Sequence, residues 1–299
     1  MADQTRTEHL RQLLASAHQA LRPVLPKRLR GDTPVVPVVR LTGVIGVSTP
    51  LKAGLTLATV AKSLERAFAM RRAKAVALVI NSPGGSPVQS HLIYRRIRAL
   101  AAETSRPVIV FTEDVAASGG YMIACAGDEI VCDPSSIIGS IGVVGSSFGF
   151  TRLMDKLGIE RRLYTSGDNK AMLDPFLPEN PDDVERLKAL QHDIHEDFIL
   201  LVKGSRGARL KGPEKTVFSG EYWTGNKAIE LGLADSIGDL RSTLRERFGE
   251  NVVTPLISPA RGWLGRVQPS VIDALPRGDF AEQVISALEA RALWARYGL

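Results

Sequence analysis

Two short segments carry the residue types that acyl-transfer chemistry requires. In Ala116-Ala117-Ser118-Gly119-Gly120-Tyr121 a serine closes a strand-to-helix turn, and the two glycines after it leave room for a substrate backbone. A helix starting there would aim free N–H groups and the positive end of its dipole at whatever lies beside Ser118, which suits a developing oxyanion. Serine is also a favoured helix N-cap, so this segment alone reads first as a cap. Asn81-Ser82-Pro83-Gly84-Gly85 repeats the arrangement, although Pro-Gly-Gly by itself is an ordinary turn. Sites in open α/β sheets gather outside the carboxyl ends of strands, so two such turns on successive units would face one crevice and offer two N–H donors.

A serine hydroxyl is a poor nucleophile until a base takes its proton. His9 and His18 belong to a basic N-terminal stretch, and His91 follows the Gly84-Gly85 turn in a surface or packing role. His192 and His195 lie on a long amphipathic helix beside Asp193 and Glu196, a weak spacing for a metal pair, so neither a metal site nor a cofactor is expected. A lysine serves as base where burial disfavours its charged form. Lys170, in Thr165-Ser166-Gly167-Asp168-Asn169-Lys170-Ala171-Met172-Leu173, has apolar neighbours on its C-terminal side, yet on local grounds it reads as a solvated lysine. The strongest rival is Gly145-Ser146-Ser147-Phe148-Gly149, which fits the G-x-S-x-G elbow of an α/β-hydrolase esterase, with Asp174 and His195 following in triad order. It leaves both Gly-Gly turns without a purpose.

The elements that would position these residues follow from apolar periodicity. Val35 to Val47 reads as one or two strands broken at Pro37 and Gly43, followed by a helix over Leu57 to Phe68 and a strand over Ala75 to Ile80. The same step recurs with a helix over Val88 to Leu100, a strand over Val108 to Phe111, a short helix to Ala126 and a strand over Glu129 to Cys132. Ile137 to Val144, a helix from Phe150 to Leu157 and a strand over Arg162 to Thr165 come next. A long helix over Asp182 to Lys203 carries a Leu187, Leu190, Ile194, Phe198, Leu201 stripe, and a shorter one over Gly225 to Leu231 ends at Gly232. Alternating strands and helices predict an α/β fold with a mostly parallel sheet.

The chain has 299 residues, 44% hydrophobic and 23% charged, which is ordinary globular composition and argues against disorder or repeats. Its two cysteines, Cys125 and Cys132, sit in apolar stretches and read as buried thiols rather than a disulfide framework. No apolar run is long enough to span a bilayer, and Glu8, His9, Arg11 and Gln12 interrupt any signal-peptide core, so a cytoplasmic location is expected. Half of the net charge of +6 lies in residues 1–32, a basic amphipathic arm suited to docking on the protein itself, on a sister subunit or on the inner membrane surface. No aromatic residues interleave with these basic positions, which argues against nucleic acid. The expected organisation is this arm over 1–32, a catalytic domain over 33–248, and over 249–299 a Pro/Gly-rich linker with a last amphipathic helix.

Asn81-Ser82-Pro83-Gly84-Gly85, Asp114-Val115-Ala116-Ala117-Ser118-Gly119-Gly120-Tyr121, Ile138-Gly139-Ser140-Ile141-Gly142-Val143 and Ser166 to Lys170 resemble, in order and spacing, the signal peptide peptidase A family of serine proteases. The resemblance runs from about Val35 to Leu244 and implies the fold also seen in Clp protease and the crotonases. It implies Ser118 as nucleophile, Lys170 as general base in a Ser-Lys dyad, the N–H groups of Gly85 and Gly119 as oxyanion hole, and Ser140 as the group orienting the lysine. It further implies a homo-oligomeric ring, with the dyad formed within one subunit or between neighbours, and apolar extended peptides such as signal-peptide remnants or membrane-protein fragments as substrates. Family members commonly carry an N-terminal membrane anchor where this chain has its basic arm. A catalytically idle ring that binds membrane-protein partners, and a crotonase relative acting on coenzyme A thioesters, share the fold; the latter would leave Ser118 and Lys170 unused.

Overall fold

The computed structural model describes residues 33–47, 54–258, 288 and 291–298. The basic arm, and most of the expected C-terminal linker and helix, lie outside the described residues.

The heart of the sheet is Val76–Ser82 (β2), apolar at nearly every position because helices cover both of its faces. Val38–Thr42 (β1), β2, Val108–Ala117 (β3), Glu129–Cys132 (β4) and Ser236–Ile237 (β7) lie side by side in that order, all parallel. The fold is α/β, with a seven-stranded and mostly parallel sheet. β3 is 10 residues long, and its two ends have different partners. Its first part pairs with β4, with Ile109 opposite Glu129, while Val115, Ala116 and Ala117 pair with Ile137–Gly139 (β5). Tyr222–Thr224 (β6) then adds antiparallel to β5. A second small layer is thereby built at the carboxyl end of β3, beside Ser118.

Alternation along the strands divides the core. Leu78 and Ile80 face Leu57–Phe68 (α1), Pro87–Thr104 (α2) and Gly119–Ala124 (α3), whereas Ala77, Val79, Phe111 and Val131 pack under Leu240–Phe248 (α8). α1 opens with a reciprocal Thr56–Thr59 capping box and buries Val60, Leu64, Ala67 and Phe68 along one face. Fully burying Leu64 and Phe68 contributes roughly 1.5–3 kcal/mol each. α2 starts where Ser86 accepts a hydrogen bond from Gln89 N–H and Pro87 occupies the first turn.

Pro181–Arg206 (α5) is tied to the sheet at its C-terminal end. Arg206, 1% exposed, donates to both carboxylate oxygens of Asp235 at 2.9 and 2.7 Å and from Nε to the Gly232 carbonyl at 2.9 Å. Asp235 also accepts from Ile130 N–H at 2.7 Å, so one buried ion pair joins the helix end, β4 and the approach to β7. Thr151–Leu157 (α4), Glu214–Val217 (α6) and Gly225–Glu230 (α7) are shorter helices.

Three expectations differ from what is observed. Arg162 to Thr165 forms no strand, and residues 143–180 project from the sheet, nearly all exposed. An alternating stretch becomes a strand only where a neighbour can pair with it, and this one has none. On α5 the apolar stripe packs on the core at Phe198 and Leu201, joined by Val202, while Leu190 is 53% and Ile194 38% exposed. Residues 251–258, which read as the start of a linker, run along β1: Val36 N–H donates to Val253 O, Val38 N–H to Pro255 O, and Ile257 N–H to Val38 O.

Candidate active site

β3 delivers Ser118 to the carboxyl edge of the sheet in a strained conformation, with φ 51° and ψ −123°. Positive φ is costly for a residue with a Cβ and persists only where the surroundings enforce it. Two backbone bonds do so: Ser118 N–H donates to Gly139 O at 2.8 Å, and Ser118 O accepts from Met122 N–H at 3.0 Å. The residue occupies the N-cap position of α3, but its side chain makes no capping hydrogen bond. The cap reading therefore does not describe Ser118, whose half-buried side chain lines a cavity of about 300 Å³ with Ser140, Gly142 and His195.

The Pro83-Gly84-Gly85 turn lies directly against it. Gly84 has φ 103°, and a Cβ there would come within 2.8 Å of Ser118 Cβ and 3.0 Å of Gly119 N. At Gly85, φ 138°, a Cβ would meet the Ile45 carbonyl oxygen at 2.1 Å. The turn is held from both sides, since Ile45 N–H donates to Gly84 O at 2.8 Å and Ser86 N–H to Ile45 O at 2.9 Å. Among the described residues neither Gly85 N–H nor Gly119 N–H meets an acceptor. The two Gly-Gly turns thus converge, with unengaged donors on each.

Ser140 follows β5, also at positive φ (54°) and buried. Its N–H donates to Glu221 O at 2.6 Å, and its Oγ accepts from Tyr297 OH at 3.3 Å. Ser118, Gly85, Gly119 and Ser140 are therefore gathered at one place. Lys170 is not: it is exposed, its N–H donates to Gly167 O at 3.2 Å, and it does not line the Ser118 cavity.

The rival elbow is not assembled. Ser147 is exposed on a stretch without regular structure, and with Asp174 it lines a separate cavity of about 480 Å³, whereas His195 lines that of Ser118. Asp174 is engaged by Arg161 at 2.5 Å.

Sequence reasoning gave three groups no part beside Ser118. His195 Nε2 lies 3.0 Å from Ile141 O, and because a carbonyl oxygen only accepts, this nitrogen is the donor. The signal was available, because His195 shares a helical face with the buried Phe198 and Val202. Arg296 lines the cavity, and Tyr297 is buried against Val115 and Ala117, edge-on to Tyr222 at a centroid distance of 5.1 Å. Nothing local marks these last two, since they reach the site from the far end of the chain. Both cysteines are free and buried, and burial pushes each thiol up to about 12. Among the described residues no group of acidic, histidine and cysteine side chains could hold a metal ion, and no helix is long and apolar enough to cross a membrane.

A strained serine at a strand end, with helix-start and turn N–H donors around it on an α/β sheet, is an arrangement that a serine hydrolase would require. Comparison with known proteins sharpens this class: the model of peptidase family S49 matches residues 101–250, half of the chain. A chain of Brucella abortus named as a Na⁺/H⁺ antiporter is 54% identical over 93% of this chain. The match covers 39% of that longer protein. A chain of Synechocystis named as a protease is 30% identical over 67% of this chain and 68% of its own length. The chloroplastic serine protease SPPA of Arabidopsis thaliana is 32% identical over 71% of this chain and 32% of its own. The chain belongs to peptidase family S49, a family of serine peptidases. Ser118, Gly119, Ser140 and Lys170 fall inside the matched residues, and Gly85 outside them.

Proposed function

We propose that this chain is a serine endopeptidase in which Ser118 attacks the scissile carbonyl and Lys170 of a neighbouring copy is the general base. The observation that carries the reading is the pairing of an uncapped, strained Ser118 in a cavity with Ser140 and an exposed Lys170 outside that cavity. A lysine amine becomes a base where burial disfavours its charge, a condition that an exposed Lys170 gains by entering the cavity of another subunit. Ser118 Oγ then yields its proton to the amine, the N–H groups of Gly85 and Gly119 hold the oxyanion, and Ser140 orients the amine.

A second copy also suits the projecting stretch 143–180 and the neighbouring face of α5. Val144 (69%), Phe148 (78%), Tyr164 (89%) and Leu200 (63%) stand exposed there, large apolar side chains that a second copy would cover. The substrates are short, apolar, extended peptides such as signal-peptide remnants or membrane-protein fragments, and the N-terminal arm makes peripheral contact with the membrane. The similarity to a chloroplastic SPPA and to proteases supports the peptide substrate.

Mixing variants tests the reading. Ser118→Ala and Lys170→Ala should each be inactive on a fluorogenic apolar peptide, and mixing the two after dissociation and reassembly should restore activity, because one contributes the serine and the other the lysine. Full activity in either single variant overturns the dyad, and two inactive variants that stay inactive when mixed overturn its sharing between subunits.

A further inference from the structure

We propose that His195 is a positioning residue for the Ser118 reaction, acting through Ser140; the inference rests on the function proposed above. Gly139-Ser140-Ile141 carries Ser140 at φ 54°, a backbone conformation that a serine holds only when its surroundings impose it. Three hydrogen bonds reach the backbone of these three consecutive residues, and a fourth, from Tyr297 OH at 3.3 Å, reaches Ser140 Oγ. Ser118 N–H donates to Gly139 O at 2.8 Å, Ser140 N–H donates to Glu221 O at 2.6 Å, and His195 Nε2–H donates to Ile141 O at 3.0 Å. The first two are main-chain bonds. Of the bonds to the backbone the third alone comes from a side chain, and it reaches across from α5.

Ile141 is fully buried, so its carbonyl has no ready access to bulk water as a substitute partner. Among the described residues His195 is the donor it meets. Without that bond the turn's backbone is fixed at Gly139 and at the Ser140 N–H but loses its hydrogen bond on the far side. The Ser140 hydroxyl then keeps only its bond from Tyr297 OH, at 3.3 Å, and the site where the lysine amine must be held is less firmly placed.

The test is a cycle over positions 195 and 140 in the full-length protein, with kcat, KM and thermal midpoint measured for each variant. His195→Leu should lower kcat by about 100-fold, the scale of a misplacement near 1 Å, with KM little changed. His195→Gln, whose amide nitrogen reaches as far as Nε2, should recover most of the loss, and His195→Asn, whose amide is too short, should not. In a Ser140→Ala background, His195→Leu should cost nothing further, because two residues that act as one unit are not additive. Should His195→Leu not fold, the Gln and Asn variants in both backgrounds carry the same comparison.

Undiminished kcat in His195→Leu, a Gln variant no better than Leu or Asn, or losses that multiply in the double variant would each overturn the proposal. Multiplying losses would instead assign His195 a direct part beside Ser118. A Ser118→Ala control separates this from the underlying reading, since full activity there defeats the endopeptidase itself whatever position 195 does.

Discussion

Ser118 and Ser140 are joined by a single peptide unit: Ser118 N–H donates at 2.8 Å to the carbonyl of Gly139, the residue immediately before Ser140. Both serines are held at positive φ, 51° and 54°, so neither strained turn stands alone. The link exists because β3 outruns β4 and its last residues take β5 as partner, with Ala117 opposite Gly139. Sheet register thus sets the separation of the attacking hydroxyl and the hydroxyl proposed to hold its base. Replacing Ser140 by Ala leaves this backbone link in place, so Ser140→Ala should fold with a thermal midpoint close to the parent while losing most of its kcat. Parent-like kcat would remove Ser140 from the mechanism.

Gly84 is where the two turns touch, and its replacement should be felt at Ser118. An alanine there must adopt φ 103° and place its Cβ 2.8 Å from Ser118 Cβ and 2.9 Å from Ala117 O. Backbone strain of that kind costs roughly 1–3 kcal/mol, and relief can come only by moving one turn from the other. Gly84→Ala should therefore lower the thermal midpoint and slow labelling of Ser118 by a fluorophosphonate probe. A variant with parent-like stability and labelling would show that the turns are not packed as described.

Ser147 should be silent. It is exposed, and it shares no cavity with His195. Exposed substitutions away from such features stay within about 0.5 kcal/mol, so Ser147→Ala should keep both stability and peptide cleavage. Loss of cleavage with the fold intact would revive the esterase elbow.

How much of this was legible beforehand depended on how local each signal is. The buried strands announced themselves through unbroken apolar runs, and Glu129–Cys132 is found with the expected ends. The meeting of the Ser118-Gly119 and Gly84-Gly85 turns could be read because strand, turn chemistry and helix start occupy a few consecutive residues. The stretch at Arg162 to Thr165 misled because alternation shows only that a strand could form, whereas pairing decides whether it does. Tyr297 was invisible for a different reason. It meets Ser140 across 157 residues of chain, and no window of periodicity spans that distance.

The cysteines should be inert while the protein is folded. Burial pushes Cys125 and Cys132 up to about 12, leaving almost no thiolate at neutral pH. Iodoacetamide at pH 8 should modify neither in the native state and both after unfolding in guanidinium. Rapid modification of native protein would contradict the packing around α3 and β4.

The Arg206–Asp235 pair gives the fold a defined sensitivity to acid. Burial alone would raise the Asp235 carboxyl, but hydrogen bonds from Arg206 and from Ile130 N–H, with the charge of Arg206, outweigh it and hold the group below the ordinary carboxylate range. Because the folded-state value is the lower one, the stabilisation is fully present above the unfolded value of about 3.9 and is lost as pH falls through the folded value. Asp235→Asn removes that dependence and leaves Arg206, 1% exposed, without its countercharge, which should cost about 3–5 kcal/mol at pH 7. Urea unfolding of parent and variant between pH 7 and pH 3 should show the gap narrowing as the parent's carboxylate is protonated. A gap that stays constant over this range would mean that Asp235 stabilises the fold by shape rather than by charge.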